Sequence, residues 1–143
     1  MKRRALLSLG AGSIVGIAGC SALNLNEDTT LAFIELRNRT EESQTLDVLV
    51  RRDGELVHWS KYTLPSSRTT DDGAHTIIPS ERILADEYDG CTPGVYMIDL
   101  RLGEGQRYSV ERTAADRGQG IWMSLEPDGS ITDGIHATGD SHC

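Results

Sequence analysis

Cys20, Cys91 and Cys143 are the residues with the most chemistry open to them, and His58, His75, His136 and His142 could join them as metal ligands. A blue-copper site needs an early histidine, then a Cys, a His and often a Met close together near the C-terminus, because one loop must present several ligands at once. Here Cys143 closes the sequence with His142 as its neighbour, and Met97 and Met123 lie far upstream. That spacing does not build such a site, and no metal or other cofactor is expected. The acidic runs Asp71-Asp72 and Asp86-Glu87-Tyr88-Asp89 lack the spaced pattern of a calcium loop, so they read as solvated charge. Asn38-Arg39-Thr40 is a glycosylation sequon in an expected turn, which would make Asn38 accessible. No nucleophile elbow, no His-Glu-x-x-His and no phosphate-binding glycine loop opening a helix is present, so no catalytic residue is assigned.

The elements that must position these residues are strands. Alternation of apolar and polar residues predicts strands over 31–38 (Ala32, Ile34 and Leu36 inward) and 44–51 (Leu46, Val48 and Val50 inward). Asp53-Gly54 supplies the positive φ angles of a tight hairpin, and 55–64 is the returning strand, with Val57 and Trp59 on one face and His58 and Tyr62 on the other. Residues 65–73 hold no apolar side chain after Pro65 and read as a surface loop. A short strand over 74–78 follows. Residues 80–87 fit either a helical turn capped by Ser80 or another strand.

The plainest strand is 94–102, with Tyr96, Ile98, Leu100 and Leu102 on one side. Gly103-Glu104-Gly105 turns the chain into 107–113. Ile121, Met123 and Leu125 alternate before the Pro127-Asp128-Gly129 turn, and 130–137 is the last strand. Trp122 falls on the solvent side of its strand, to be covered by the C-terminal tail or to mark a binding patch. About seven to eight short strands with turn residues every eight to twelve positions and no long helix predict an all-β antiparallel sandwich over residues 31–143.

Ahead of that domain stand Met1-Lys2-Arg3-Arg4 and a mild, glycine-bearing apolar run to Gly19, too short to span a bilayer. Arg3-Arg4 before such a run resembles a twin-arginine export signal, and Ile17-Ala18-Gly19-Cys20 resembles a lipobox. The resemblance implies that residues 1–19 are cleaved, that Cys20 carries lipid and that residues 20–30 are a polar tether. The protein would sit on the extracytoplasmic face of the cell membrane, with the membrane itself as one partner through the lipid. With Cys20 so used, Cys91 and Cys143 remain as a pair in an oxidising compartment. A disulfide is the natural reading, with free or metal-binding thiols as alternatives.

Without residues 1–19, 11 basic residues face 22 acidic ones, a net charge of −11, and Lys61 is the sole lysine. Such a surface argues against nucleic acid, since no basic patch exists to release counterions. Its carboxylates stay hydrated and their repulsion is screened by high salt.

Pro93-Gly94-Val95-Tyr96-Met97-Ile98 resembles a strand of immunoglobulin-like domains in which a Gly-x-Tyr-x-aliphatic run is common. The likeness implies a Tyr96 hydroxyl bonded back to the backbone at a sheet corner, with Trp59 a candidate core tryptophan. Taken whole, the chain resembles exported lipoproteins of salt-loving archaea that carry one immunoglobulin-like domain. That likeness implies a fold and a location and leaves the ligand open. The expectation is a non-enzymatic binding or envelope-structural domain, whose protein or envelope partner is unidentified; the alternative is a metal- or small-ligand-binding lipoprotein serving uptake or electron transfer.

Overall fold

A computed structural model describes residues 30–103, 105–112 and 119–136. Among these residues run β1 (Leu31–Asn38), β2 (Gln44–Arg52), β3 (Glu55–Leu64), β4 (Arg68–Thr69), β5 (Thr76–Ile77), β6 (Ser80–Leu84), β7 (Tyr96–Leu102), β8 (Gln106–Arg112), β9 (Gln119–Leu125) and β10 (Ile131–His136). A 3-10 turn, Ala85–Glu87, lies between β6 and β7. Eight strands make two four-stranded sheets, a first of order β10-β9-β1-β6 and a second of order β3-β2-β7-β8. The chain is thus an all-β, immunoglobulin-like sandwich.

Alternation along each strand produces the core. Ile34 and Leu36 of β1, Ile83 of β6, and Ile121 and Met123 of β9 face Leu46, Val48 and Val50 of β2 and Tyr96, Ile98 and Leu100 of β7, all of them fully buried. Each such side chain contributes about 1.5–3 kcal/mol of burial. Asp53 and Gly54 hold φ values of 52° and 87°, the backbone a two-residue hairpin between β2 and β3 requires. The Tyr96 hydroxyl donates to the Thr92 carbonyl and lies 3.1 Å from that of Asp89, the corner bond that the immunoglobulin-like resemblance implied.

Three expectations are corrected. The sandwich is not wholly antiparallel: β1 and β9 pair in parallel, from Ile34 opposite Ile121 to Asn38 opposite Leu125. No hairpin joins these strands, so the long path through the second sheet leaves their relative direction free. Trp59 is not a core residue, being 65 % exposed. The pairing shifts between Val50 opposite His58 and Arg51 opposite Leu56, which leaves Val57 as a bulge and reverses the alternation beyond it. His58 and Tyr62 therefore turn toward the core side, while Trp59 stands outside over its cross-strand partner Leu49.

Of the two readings open for residues 80–87, the strand holds over Ser80–Leu84, and a 3-10 turn follows Leu84, whose N–H donates to Glu87 Oε1 at 3.1 Å. Residues 65–73 are not all loop, because Arg68–Thr69 pairs with Thr76–Ile77 as a short ribbon.

Candidate functional site on the outer face of the first sheet

The outer face of the first sheet carries a charged cluster where alternation alone would leave separate surface side chains. Glu35, central in β1, is only 7 % exposed. Its Oε1 accepts from Arg37 Nε at 2.6 Å and its Oε2 from Arg82 Nη2 at 2.8 Å. His136 of β10 brings Nε2 to 3.0 Å from Arg37 Nη2 and 3.6 Å from Glu35 Oε2. Since guanidinium can only donate, this Nε2 is an acceptor and its ring proton sits on Nδ1. Burial pushes the Glu35 carboxyl up, but the bonds and charges of Arg82 and Arg37 outweigh it and hold the group below the usual carboxylate range.

Aromatic rings frame the ions. The Arg82 guanidinium carbon lies 4.3 Å from the centre of the Phe33 ring, and that of Arg37 lies 5.2 Å from Trp122. Phe33 and His136 are tilted at 48° with centroids 5.5 Å apart. Two glycines make the rings possible. A Cβ at Gly120 would collide with the Phe33 ring, and one at Gly134, the cross-strand partner of Trp122, would collide with the indole. Glycine in these strands is therefore a seat for a flat side chain.

Beside the cluster opens a pocket of about 430 Å³ lined by Glu35, Arg37, Arg39, Ile78, Ser80, Trp122 and Ser124. Ser124, 2 % exposed, has a buried Oγ with no hydrogen-bond partner among the described residues. Such a hydroxyl costs stability where it stands. Arg39 pairs with Glu126 across 3.6 Å. Trp122 and two arginines, with Ser124 below, present a flat ring, cationic donors and a hydroxyl to one space, the makings of a site for a small polar ligand. A larger hollow of about 830 Å³ lies along Ala32, Phe33, Leu84, Asp86, Asp89 and Cys91, with Arg82 on its wall bonded to Glu35.

Arg3, Arg4, Cys20, His142 and Cys143 lie outside the described residues. Cys91 is not a free thiol. Asn38 is not accessible: it is fully buried as the last residue of β1. Its Nδ2, the atom a glycan would occupy, donates to the carbonyls of Glu42 at 2.8 Å and Pro65 at 2.7 Å, and its Oδ1 accepts from Thr40. The polar turn was read correctly, but Asn38 is its internal brace.

The acidic run 86–89 is spent on structure. Tyr88 is core and donates to the Leu31 carbonyl at 2.7 Å, while Asp89 pairs with Arg52 at 2.7 Å. Among the described residues no group of three His, Cys, Asp or Glu is placed to hold a metal ion. Compared with known proteins, the chain matches no family model and no curated protein.

The sequence held one sign of the cluster. Between Leu31 and Leu36 both parities are apolar except at Glu35, so a charge stands inside what reads as a central, two-sided strand. Its partners are separated from it by 47 residues (Arg82) and, for the Arg37–His136 contact, by 99, which no local pattern links.

Proposed function

We propose that this chain is a lipid-anchored, non-enzymatic binding domain on the outer face of the cell membrane, taking a small polar ligand in the pocket beside Glu35. The observation that carries the binding half is the buried, partnerless Ser124 hydroxyl on a pocket shared with Arg37, Arg39 and Trp122. Glu35 serves as its positioning anion. A carboxylate held low in pKa by two guanidiniums is a weak base and carries no proton to give near neutrality, so it orients Arg37 and leaves acid–base work undone.

Location rests on residues 1–20: export through the Arg3-Arg4 signal, cleavage before Cys20 and lipid on its thiol, with residues 20–30 as tether. The acid excess supports a high-salt surrounding of the kind salt-loving archaea inhabit, and export to an oxidising space supports a Cys91–Cys143 disulfide.

Two experiments test the two halves separately. Cys20→Ser should release the protein from membranes or block its processing; a variant still cleaved and still membrane-bound would refute the anchor. For binding, Trp59→Phe leaves Trp122 as the sole tryptophan of the chain. Small carboxylates, amides and sugars are then titrated against its emission. A saturable change abolished by Ser124→Val supports the site, and no change with any compound, or one that survives Ser124→Val, rejects it.

A further inference from the structure

The second sheet has an outer face of its own, with charges arranged differently. Pairing aligns Trp59, Leu49, Asp99 and Ser109 in one row across β3, β2, β7 and β8. The next row is Lys61, Asp47, Arg101 and Arg107. All of these alternate with inward residues such as Val48, Ile98 and Leu100, so they share the solvent side.

Asp99 is fully used: Arg51 pairs with one of its oxygens and the Ser109 hydroxyl donates to the other. Arg101 and Arg107, in contrast, stand directly opposite each other with no ion pair among the described residues, and Arg101 Nε is buried without an acceptor. Like charges directly opposite on a sheet destabilise it. In a chain with 22 acidic residues against 14 basic ones, a counter-ion for two facing arginines would be easy to supply. Yet Asp99 in the adjacent row is engaged with Arg51, and Asp47, the cross-strand partner of Arg101, pairs instead with Lys61 at 4.0 Å. Arg51, Asp99, Arg101, Arg107 and Ser109 enclose a pocket of about 120 Å³, room for a carboxylate or sulfate group. Three guanidiniums to one carboxylate make it cationic on an acidic molecule, and the planar fork of arginine suits such oxyanions.

Trp59 adds the second half. It is 65 % exposed and lies two strands from Asp99, roughly 10 Å at the usual strand spacing. Between them Leu49 makes a flat apolar floor, itself nearly covered. An oxyanion alone has no use for that ring, whereas a sugar one or two rings along from an acidic group reaches it. We propose that this face binds an acidic saccharide, with its carboxylate or sulfate held by Arg51, Arg101 and Arg107 and a neighbouring sugar ring lying on Trp59. This surface is separate from the Glu35 pocket, so neither proposal rests on the other.

The test uses the full-length chain in detergent, titrated calorimetrically with a chondroitin sulfate hexasaccharide, with cellohexaose and with sodium sulfate. The sulfated hexasaccharide should bind and the neutral one should not. Arg101→Gln with Arg107→Gln should weaken binding at least tenfold while the melting temperature holds or rises, since it removes a repulsive pair. Trp59→Thr should weaken the hexasaccharide and leave sulfate unchanged. Hexasaccharide binding that survives the arginine substitutions, or sulfate binding with no response of the hexasaccharide to Trp59→Thr, overturns the assignment. A readout on the unsubstituted protein guards against misfolding of the variants. The hexasaccharide should protect Arg101 and Arg107 from phenylglyoxal, read by mass spectrometry, and equal labelling with and without it rejects the proposal.

Discussion

Glu35 occupies a position where a carboxylate is costly unless it is paired, and Arg37 and Arg82 each donate to one of its oxygens. Because the folded-state pKa lies below that of an ordinary glutamate, the stabilisation it lends is complete above the ordinary carboxylate range and is lost as pH falls through the folded value. Glu35→Gln should cost about 2 kcal/mol at pH 7, at the modest end for breaking a pair whose arginines are half open to water. The gap between variant and parent should narrow as the pH is lowered from 7 into the acid range, and urea melts across that range measure it. Ser124 predicts the opposite sign. Replacing its partnerless hydroxyl by Ser124→Ala should stabilise the fold by about 1 kcal/mol while weakening whatever the pocket holds. Glu35 was hard to read in advance because its surroundings come from two other strands, β6 and β10, whereas the Tyr96 hydroxyl reaches back only to Thr92 and Asp89, as the immunoglobulin-like resemblance implied.

At the scale of elements, the glycines of β9 and β10 matter as much as the charged residues they serve. Gly120→Ala or Gly134→Ala should cost about 1–3 kcal/mol by forcing Phe33 or Trp122 off its seat. Near-ultraviolet circular dichroism would report Trp122 directly in the second case. Strands with one wet face were plain in the sequence: Leu46, Val48 and Val50, or Ile98 and Leu100, mark the buried side of β2 and β7 by period two alone. β1 was half legible. Of its expected inward set, Ile34 and Leu36 join the core and Ala32 does not. Leu31 joins it instead, beyond an irregularity in the pairing with β9, while Phe33 and Glu35 are buried by the neighbouring strands and the cluster above. In β3 a single extra residue at Val57 reversed the faces, and a bulge leaves no mark on an alternating pattern that reads equally well in either register. Trp59→Thr should accordingly change stability by less than about 0.5 kcal/mol, as a surface substitution does, where burial would have cost several times that.

For the whole molecule the dominant quantity is charge. With 22 acidic residues on the chain, self-repulsion opposes the compact state, and salt screens it. The midpoint of thermal unfolding should rise steadily from 0.1 M to 2 M sodium chloride, by calorimetry at pH 7. The proposed Cys91–Cys143 bridge closes a loop of roughly fifty residues, worth about 4 kcal/mol at most in the chain-entropy picture. Intact mass with and without reductant should differ by two hydrogens, and a reduced protein should unfold at lower temperature. An unchanged mass would remove the bridge.

β1 begins where the polar stretch ahead of the domain ends, and it lies inside its sheet, with β6 on one side and β9 on the other. Its first residue is clamped at both backbone atoms: the Leu31 N–H donates to the Gly90 carbonyl at 2.8 Å, and its own carbonyl accepts from Tyr88. A mechanical load arriving from the N-terminal side and directed along β1 therefore meets two ladders in shear, which must give way together. With the proposed lipid on Cys20, a pull on the domain would enter at this end and be resisted by both ladders of β1 at once.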